Sequence, residues 1–119
     1  MLKIEQLKVE IIRRLKTLDL EKIILFGSYA YGAPDEDSDI DIYVVTKDDF
    51  IPESWSEKND IHLKVAHKMQ DMLQNYPIDL ITHTKKMHQK FISLNSSFSR
   101  KVMKDGIVIY GCIPLTASC

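Results

Sequence analysis

The 119 residues predict an α/β (α+β) fold in which helices pack on a mixed β-sheet. Three observations carry that expectation. Lys22-Ile23-Ile24-Leu25-Phe26 is a short, continuous apolar run stopped by Gly27, the pattern of a buried strand. Asp39-Ile40-Asp41-Ile42-Tyr43-Val44-Val45 alternates acid and apolar in its first half, the two-residue period of a strand with unlike faces. Two longer segments instead space their apolar residues at three and four, the period of a helix.

The first helical segment, Leu2 to Leu18, sets Ile4, Leu7, Ile11, Ile12, Leu15 and Leu18 on one stripe, with Lys3, Lys8, Arg13, Arg14 and Lys16 off it. Asp19-Leu20-Glu21 ends it, and the strand to Phe26 follows. Gly27 to Ser38 reads as a connection with room for one helical turn, since it holds Gly27, Gly32 and Pro34. The alternating strand comes next, then a loop from Lys47 to Ser54. Ser54-Trp55-Ser56-Glu57 has capping-box spacing and starts a helix with the stripe Ile61, Val65, Met69, Met72 and Leu73. That helix stops at Asn75-Tyr76-Pro77, because proline disfavours helix in the residue before it. Ile78 to Thr82 is the third strand. Helices are expected over residues 85–94 and 96–104, with an N-cap in Asn95-Ser96-Ser97 and a C-cap at Gly106. Ile107 to Tyr110 closes the order as a last strand. The chain reads as one domain, residues 1–110, followed by a tail, residues 111–119.

Composition excludes several classes. At 45% hydrophobic and 28% charged the chain is not a disordered one. A net charge of −1 does not fit a non-specific nucleic-acid binder. The longest apolar runs are far short of a membrane span, and the first residues lack the apolar stretch of a signal peptide, so a cytoplasmic protein is expected. Cys112 and Cys119 sit together in the tail, where they cannot staple the core, and reduced thiols are expected.

The alternation Asp39-Ile40-Asp41 is the most informative feature. It sets two carboxylates on one strand face, about 6–7 Å apart along it, while Ile40 and Ile42 anchor the strand in the core. Adjacent carboxylates repel unless a cation lies between them. Hard divalent ions accept such oxygens and leave positions for substrate phosphates. Gly27-Ser28 follows a buried strand directly, where glycine permits close backbone approach and the next N–H groups favour an anion. Asp79, between Ile78 and Leu80 at the start of a strand, offers a third carboxylate.

Gly27-Ser28, ten residues, and then Asp39-Ile40-Asp41-Ile42 resembles the signature of nucleotidyltransferases of the DNA polymerase β superfamily. More narrowly, Gly27-Ser28-Tyr29-Ala30-Tyr31-Gly32 through Ser38-Asp39-Ile40-Asp41 resembles the minimal nucleotidyltransferases, small domains often paired with HEPN-domain proteins. The resemblance extends over nearly the whole chain, including Pro77-Ile78-Asp79-Leu80 and the closing residues 104–110. It implies a polymerase-β-like fold and a Mg²⁺-dependent transfer of AMP from ATP. Asp39, Asp41 and Asp79 would be the catalytic and metal-binding residues for two Mg²⁺ ions, with Asp79 also the general base. Gly27 and Ser28 would bind the nucleotide's terminal phosphates. Many relatives have Arg where this chain has Tyr31, which supplies no fixed positive charge near the phosphates; either nucleotide affinity or rate is lower, or another cation substitutes, with Lys85, Lys86 and Lys90 as candidates.

Charge is unevenly spread. Residues 35–49 hold seven acids and one Lys; residues 85–104 hold six basic residues and no acid. The acidic part suits metal, and the basic part suits a partner, a tRNA or the nucleotide. The resemblance implies an antitoxin that adenylylates a tyrosine of a HEPN-domain toxin partner; a homo- or a hetero-oligomer is left open. Two other readings stay open: nucleotidyl transfer to a small hydroxyl compound, and a non-catalytic module that neutralises a toxin by contact. An exposed aromatic among Phe50, Ile51 and Trp55 would suit a protein interface. His62, His67, His83 and His88 share no ligand spacing with the acids and read as surface or packing residues.

Overall fold

The computed structural model describes residues 4–27 and 39–111. Its elements are α1 (Ile4–Leu15), β1 (Leu20–Phe26), β2 (Ile40–Thr46), α2 (Trp55–Lys68), α3 (Gln70–Asn75), β3 (Ile78–His83), α4 (Lys85–Leu94), α5 (Ser97–Asp105) and β4 (Ile107–Gly111). The four strands form one sheet in the order β3-β2-β1-β4. β1 is antiparallel to both β2 and β4, while β2 and β3 run parallel. The sheet is therefore mixed, as expected.

The two-residue period of the strands sorts the core onto two faces. Ile23 and Leu25 of β1 and Ile40, Ile42 and Val44 of β2 pack with Leu7, Ile11 and Leu15 of α1, Val65 of α2, Met69, and Met72 of α3. On the opposite face Ile24, Phe26, Tyr43 and Val45 meet Val102 of α5, with Ile81, Phe91 and Met103 alongside. Each interior strand is thus apolar for most of its length on both sides. This is why Lys22–Phe26 reads as a continuous run.

Several boundaries differ from the sequence expectation for local reasons. α1 ends at Leu15, short of Leu18, and Leu18 N–H closes a turn on the Leu15 carbonyl. The helix expected from Ser54 to Asn75 is two helices. Met69 between them leaves the helical region (φ −111°, ψ 15°) and carries its side chain fully into the core. Ser54 does cap α2, its hydroxyl accepting from Glu57 N–H at 3.1 Å. Ser96 caps α5 in the same way through Ser99 N–H. Gly106 does follow α5, but in an extended conformation; Asn95 after α4 takes the left-handed one (φ 49°). β4 reaches Gly111, one residue into the expected tail. Cys112, Cys119 and the turn expected between Gly27 and Ser38 lie outside the described residues. Among the described residues, no helix is long and apolar enough to cross a membrane.

Candidate active site

β2 places its acids by alternation. Asp41 lies on the same face as Tyr43 and Val45, the face covered by α4 and α5, and Asp39 lies just ahead of the strand. Ile40 N–H donates to the Pro77 carbonyl at 2.8 Å, which ties the start of β2 to the start of β3. From that tie the parallel register makes Asp41 and Asp79 direct partners. Neighbouring strands stand about 4.8 Å apart, so two carboxylates from different parts of the chain share one end of the sheet. Asp39 and Asp79 are exposed, and Asp41 is half-buried.

Gly27 completes this corner. Phe26 is the β1 partner of Asp41, and Gly27 follows it with φ +77°, a left-handed conformation that disfavours a side chain. A Cβ here would collide with Oδ2 of Asp41. The close backbone approach that glycine permits is thus made by a carboxylate of the site. Ser28, expected beside it on the phosphates, lies outside the described residues.

The electrostatics of Asp41 report the crowding. Burial raises its pKa most, and the charges of Asp79 and Asp39 raise it further; among the described residues, Lys101 pulls it back. Asp39 and Asp79 therefore both act on Asp41 through space. Their donor chemistry fits Mg²⁺, which takes carboxylate oxygens, keeps several waters and needs only one or two protein carboxylates beside substrate phosphates. As they stand, no three His, Cys, Asp or Glu side chains among the described residues converge into a ready metal cage. That is expected of like charges on exposed side chains without a cation between them. The placement and the oxygen donors fit the ion; any closing of the cage falls to the two exposed carboxylates.

Lys101, on α5, is a residue that sequence spacing did not single out. The candidates Lys85 and Lys86 begin α4, beyond the far end of β3. From Asp79 to His83 alone the strand advances about 13 Å. The basic segment was visible in the sequence, but only the packing of α5 on β1 selects the lysine that acts on Asp41.

The same sheet face holds a second polar group. The Tyr43 side chain is completely buried, and its hydroxyl lies 2.8 Å from His83 Nδ1 and 2.9 Å from His88 Nδ1. Phe91 stacks on the Tyr43 ring at 5.2 Å. Burial holds the phenol well above its usual pKa and lowers both imidazoles to about 4. All three are therefore neutral at pH 7. A phenol has one proton to give, so one imidazole accepts from it and the other donates its Nδ1–H. These histidines are packing residues, as expected, although their shared partner was not evident from spacing. Trp55, 76% exposed at the start of α2, and the half-exposed Phe50 and Ile51 put surface aromatic and apolar groups in the segment where the sequence offered them, at the other end of the sheet from Asp41.

Comparison with known proteins places the chain in a family. The family model described as Polymerase beta, Nucleotidyltransferase matches residues 9–112. A protein of Methanocaldococcus jannaschii named "putative protein adenylyltransferase" is 35% identical over 91 residues, spanning 76% of this chain and 79% of that one. The crystal structure of a toxin-antitoxin with AMP-PNP matches at a TM-score of 0.60 and 26% identity, over 88% of this chain and 73% of that chain. A toxin-antitoxin MntA-HpeT mutant, with tyrosine changed to alanine, matches at a TM-score of 0.55 and 26% identity, over 88% of this chain and 72% of that chain. Acids paired across β2 and β3, a glycine corner behind them and a family match over most of the length lead to one conclusion: this chain belongs to the polymerase beta nucleotidyltransferase family.

Proposed function

We propose that this chain transfers AMP from ATP to a hydroxyl acceptor, and that the acceptor is a tyrosine of a HEPN-domain toxin which the chain restrains as its antitoxin. The observation that carries the reading is the Asp41–Asp79 register pair with Asp39 beside it, whose mutual repulsion a divalent ion would relieve. Asp39, Asp41 and Asp79 would hold two Mg²⁺ ions; when bound, these neutralise the triphosphate and steady the attacking and leaving oxygens.

The chain's own groups do the rest. Asp79 is exposed and takes the proton of the acceptor hydroxyl. The freed oxygen bonds to the α-phosphorus, the bond from that phosphorus to the β-phosphate oxygen breaks, and pyrophosphate leaves. β2 and β3 hold the acids on rigid strands, so most of the rate comes from positioning and charge neutralisation. Gly27 seats the Asp41 carboxylate, and Ser28 would donate to the terminal phosphates.

A protein acceptor is favoured by the similarity to a protein described as an adenylyltransferase of proteins and to toxin-antitoxin structures, one of them with AMP-PNP. The test is incubation of the pure chain with α-labelled ATP and Mg²⁺, with and without its neighbouring gene product, followed by intact mass. An added AMP on the partner that is lost in Asp39→Asn is the expected result. Label on a small hydroxyl compound alone would replace the protein acceptor. Tight partner binding with no label anywhere would make the chain a non-catalytic neutraliser.

A further inference from the structure

One helix of the basic part of the chain, α5, lies beside the acidic corner. α4 and α5 pack on the sheet face that carries Asp41. Phe98, in the first turn of α5, meets Phe26 edge-on with ring centroids 5.8 Å apart, and Phe26 is the strand partner of Asp41. Lys101 follows Phe98 by three residues, so it lies on the same side of α5 one turn on. Val102, buried against the sheet, fixes the rotation of that helix. Lys101 itself is exposed and makes no ion pair among the described residues, although its charge is felt at Asp41. Its neighbours Arg100 and Lys104 point elsewhere, lining a cavity of about 300 Å³ between α4 and α5 with Ile92, Asn95 and Met103.

A nucleoside triphosphate approaching this corner meets the carboxylates of Asp39, Asp41 and Asp79. Metal ions offset part of that repulsion, and an exposed ammonium at the rim offsets more. Lysine suits the task because its compact charge sits on a flexible stem and can follow a phosphate oxygen. We propose that Lys101 is a nucleotide-binding residue whose ammonium donates to the β- or γ-phosphate of the bound triphosphate. The inference rests on the nucleotidyltransferase reading and adds to it a contact from a helix that carries none of the three acids.

The test is equilibrium binding of AMP-PNP and of AMP to the full chain in Mg²⁺, for the unaltered protein, Lys101→Met, Lys101→Arg and Arg100→Met. A charge-assisted phosphate contact predicts that Lys101→Met weakens AMP-PNP by about tenfold or more. AMP binding stays within about twofold, Lys101→Arg recovers most of the loss, and Arg100→Met changes little. Equal loss of AMP and AMP-PNP, or no loss of either, overturns the proposal. So does tighter Mg²⁺ binding in Lys101→Met with AMP-PNP unchanged, which would make Lys101 only a counter-charge to the acids. If the unaltered protein binds neither nucleotide, the nucleotidyltransferase reading itself fails and takes this contact with it.

Discussion

Asp41 and Asp79 are direct partners in the parallel β2–β3 register, each the second residue of its strand. Burial and the Asp79 charge beside it oppose the ionisation of Asp41, the more buried of the two. Asp41→Asn is therefore expected to separate function from stability. Transfer of AMP should fall by about 100-fold or more. Thermal stability without divalent ions should rise at pH 7. The folded-state pKa of Asp41 is raised, so the native state binds the proton more readily than the unfolded chain, and wild-type stability declines as pH climbs from about 4 through that raised pKa. The advantage of Asp41→Asn should accordingly vanish on acidification, which melting curves from pH 3 to pH 7 would show.

Gly27→Ala should damage the same carboxylate from behind. The left-handed φ costs alanine about 1–2 kcal/mol, and the new methyl group displaces Oδ2 of Asp41. Denaturant unfolding should show that loss. Divalent-ion binding, followed by calorimetry, should weaken in a protein that still folds.

Ile40 tests the anchor between the acids. It is 1% exposed and packs beneath the strand that carries them. Ile40→Ala should cost about 2–5 kcal/mol of stability, measured by urea unfolding. Transfer activity under conditions where the variant is still folded should fall as well, because Asp39 and Asp41 flank the position that loses its grip on the core.

The Tyr43–His83–His88 group predicts a pH dependence of stability unrelated to the acids. Both imidazoles have folded-state pKa values lowered to about 4, whereas an unfolded histidine titrates near 6.5. Between those limits the unfolded chain binds more protons. Stability is then fully present above about pH 6.5 and is lost as pH falls toward 4. Tyr43→Phe leaves buried ring nitrogens unpaired and should cost about 1–3 kcal/mol at pH 7. Melting temperature against pH, for wild type and for His88→Gln, should show a shallower acid limb in the variant.

Local chemistry made much of the architecture legible. Alternation in Asp39–Val45 marked a strand with unlike faces, Pro77 marked a helix end, and Ser54 and Ser96 marked helix starts. The three acids could be proposed because each sits beside apolar residues that declare a strand. What escaped was set by tertiary packing. No spacing rule says that Met69 turns into the core and divides a helix. Lys101 is one basic residue among six until α5 is rotated onto β1 by Val102 and Phe98. Tyr43, His83 and His88 come from two strands and a helix, and their shared hydrogen bonds exist only after β2 and β3 pair.

The strand order has a consequence for how the chain is made. β1, β2 and β3 are all synthesised by residue 83, and with them the framework that sets Asp41 against Asp79. The outer edge of β1 pairs only with β4, where Leu25 meets Ile107 and Lys22 meets Gly111. A nascent chain therefore carries its acidic corner well before it can close its sheet. Until β4 leaves the ribosome, β1, a strand with six of its seven residues buried in the finished fold, presents an open, adhesive edge.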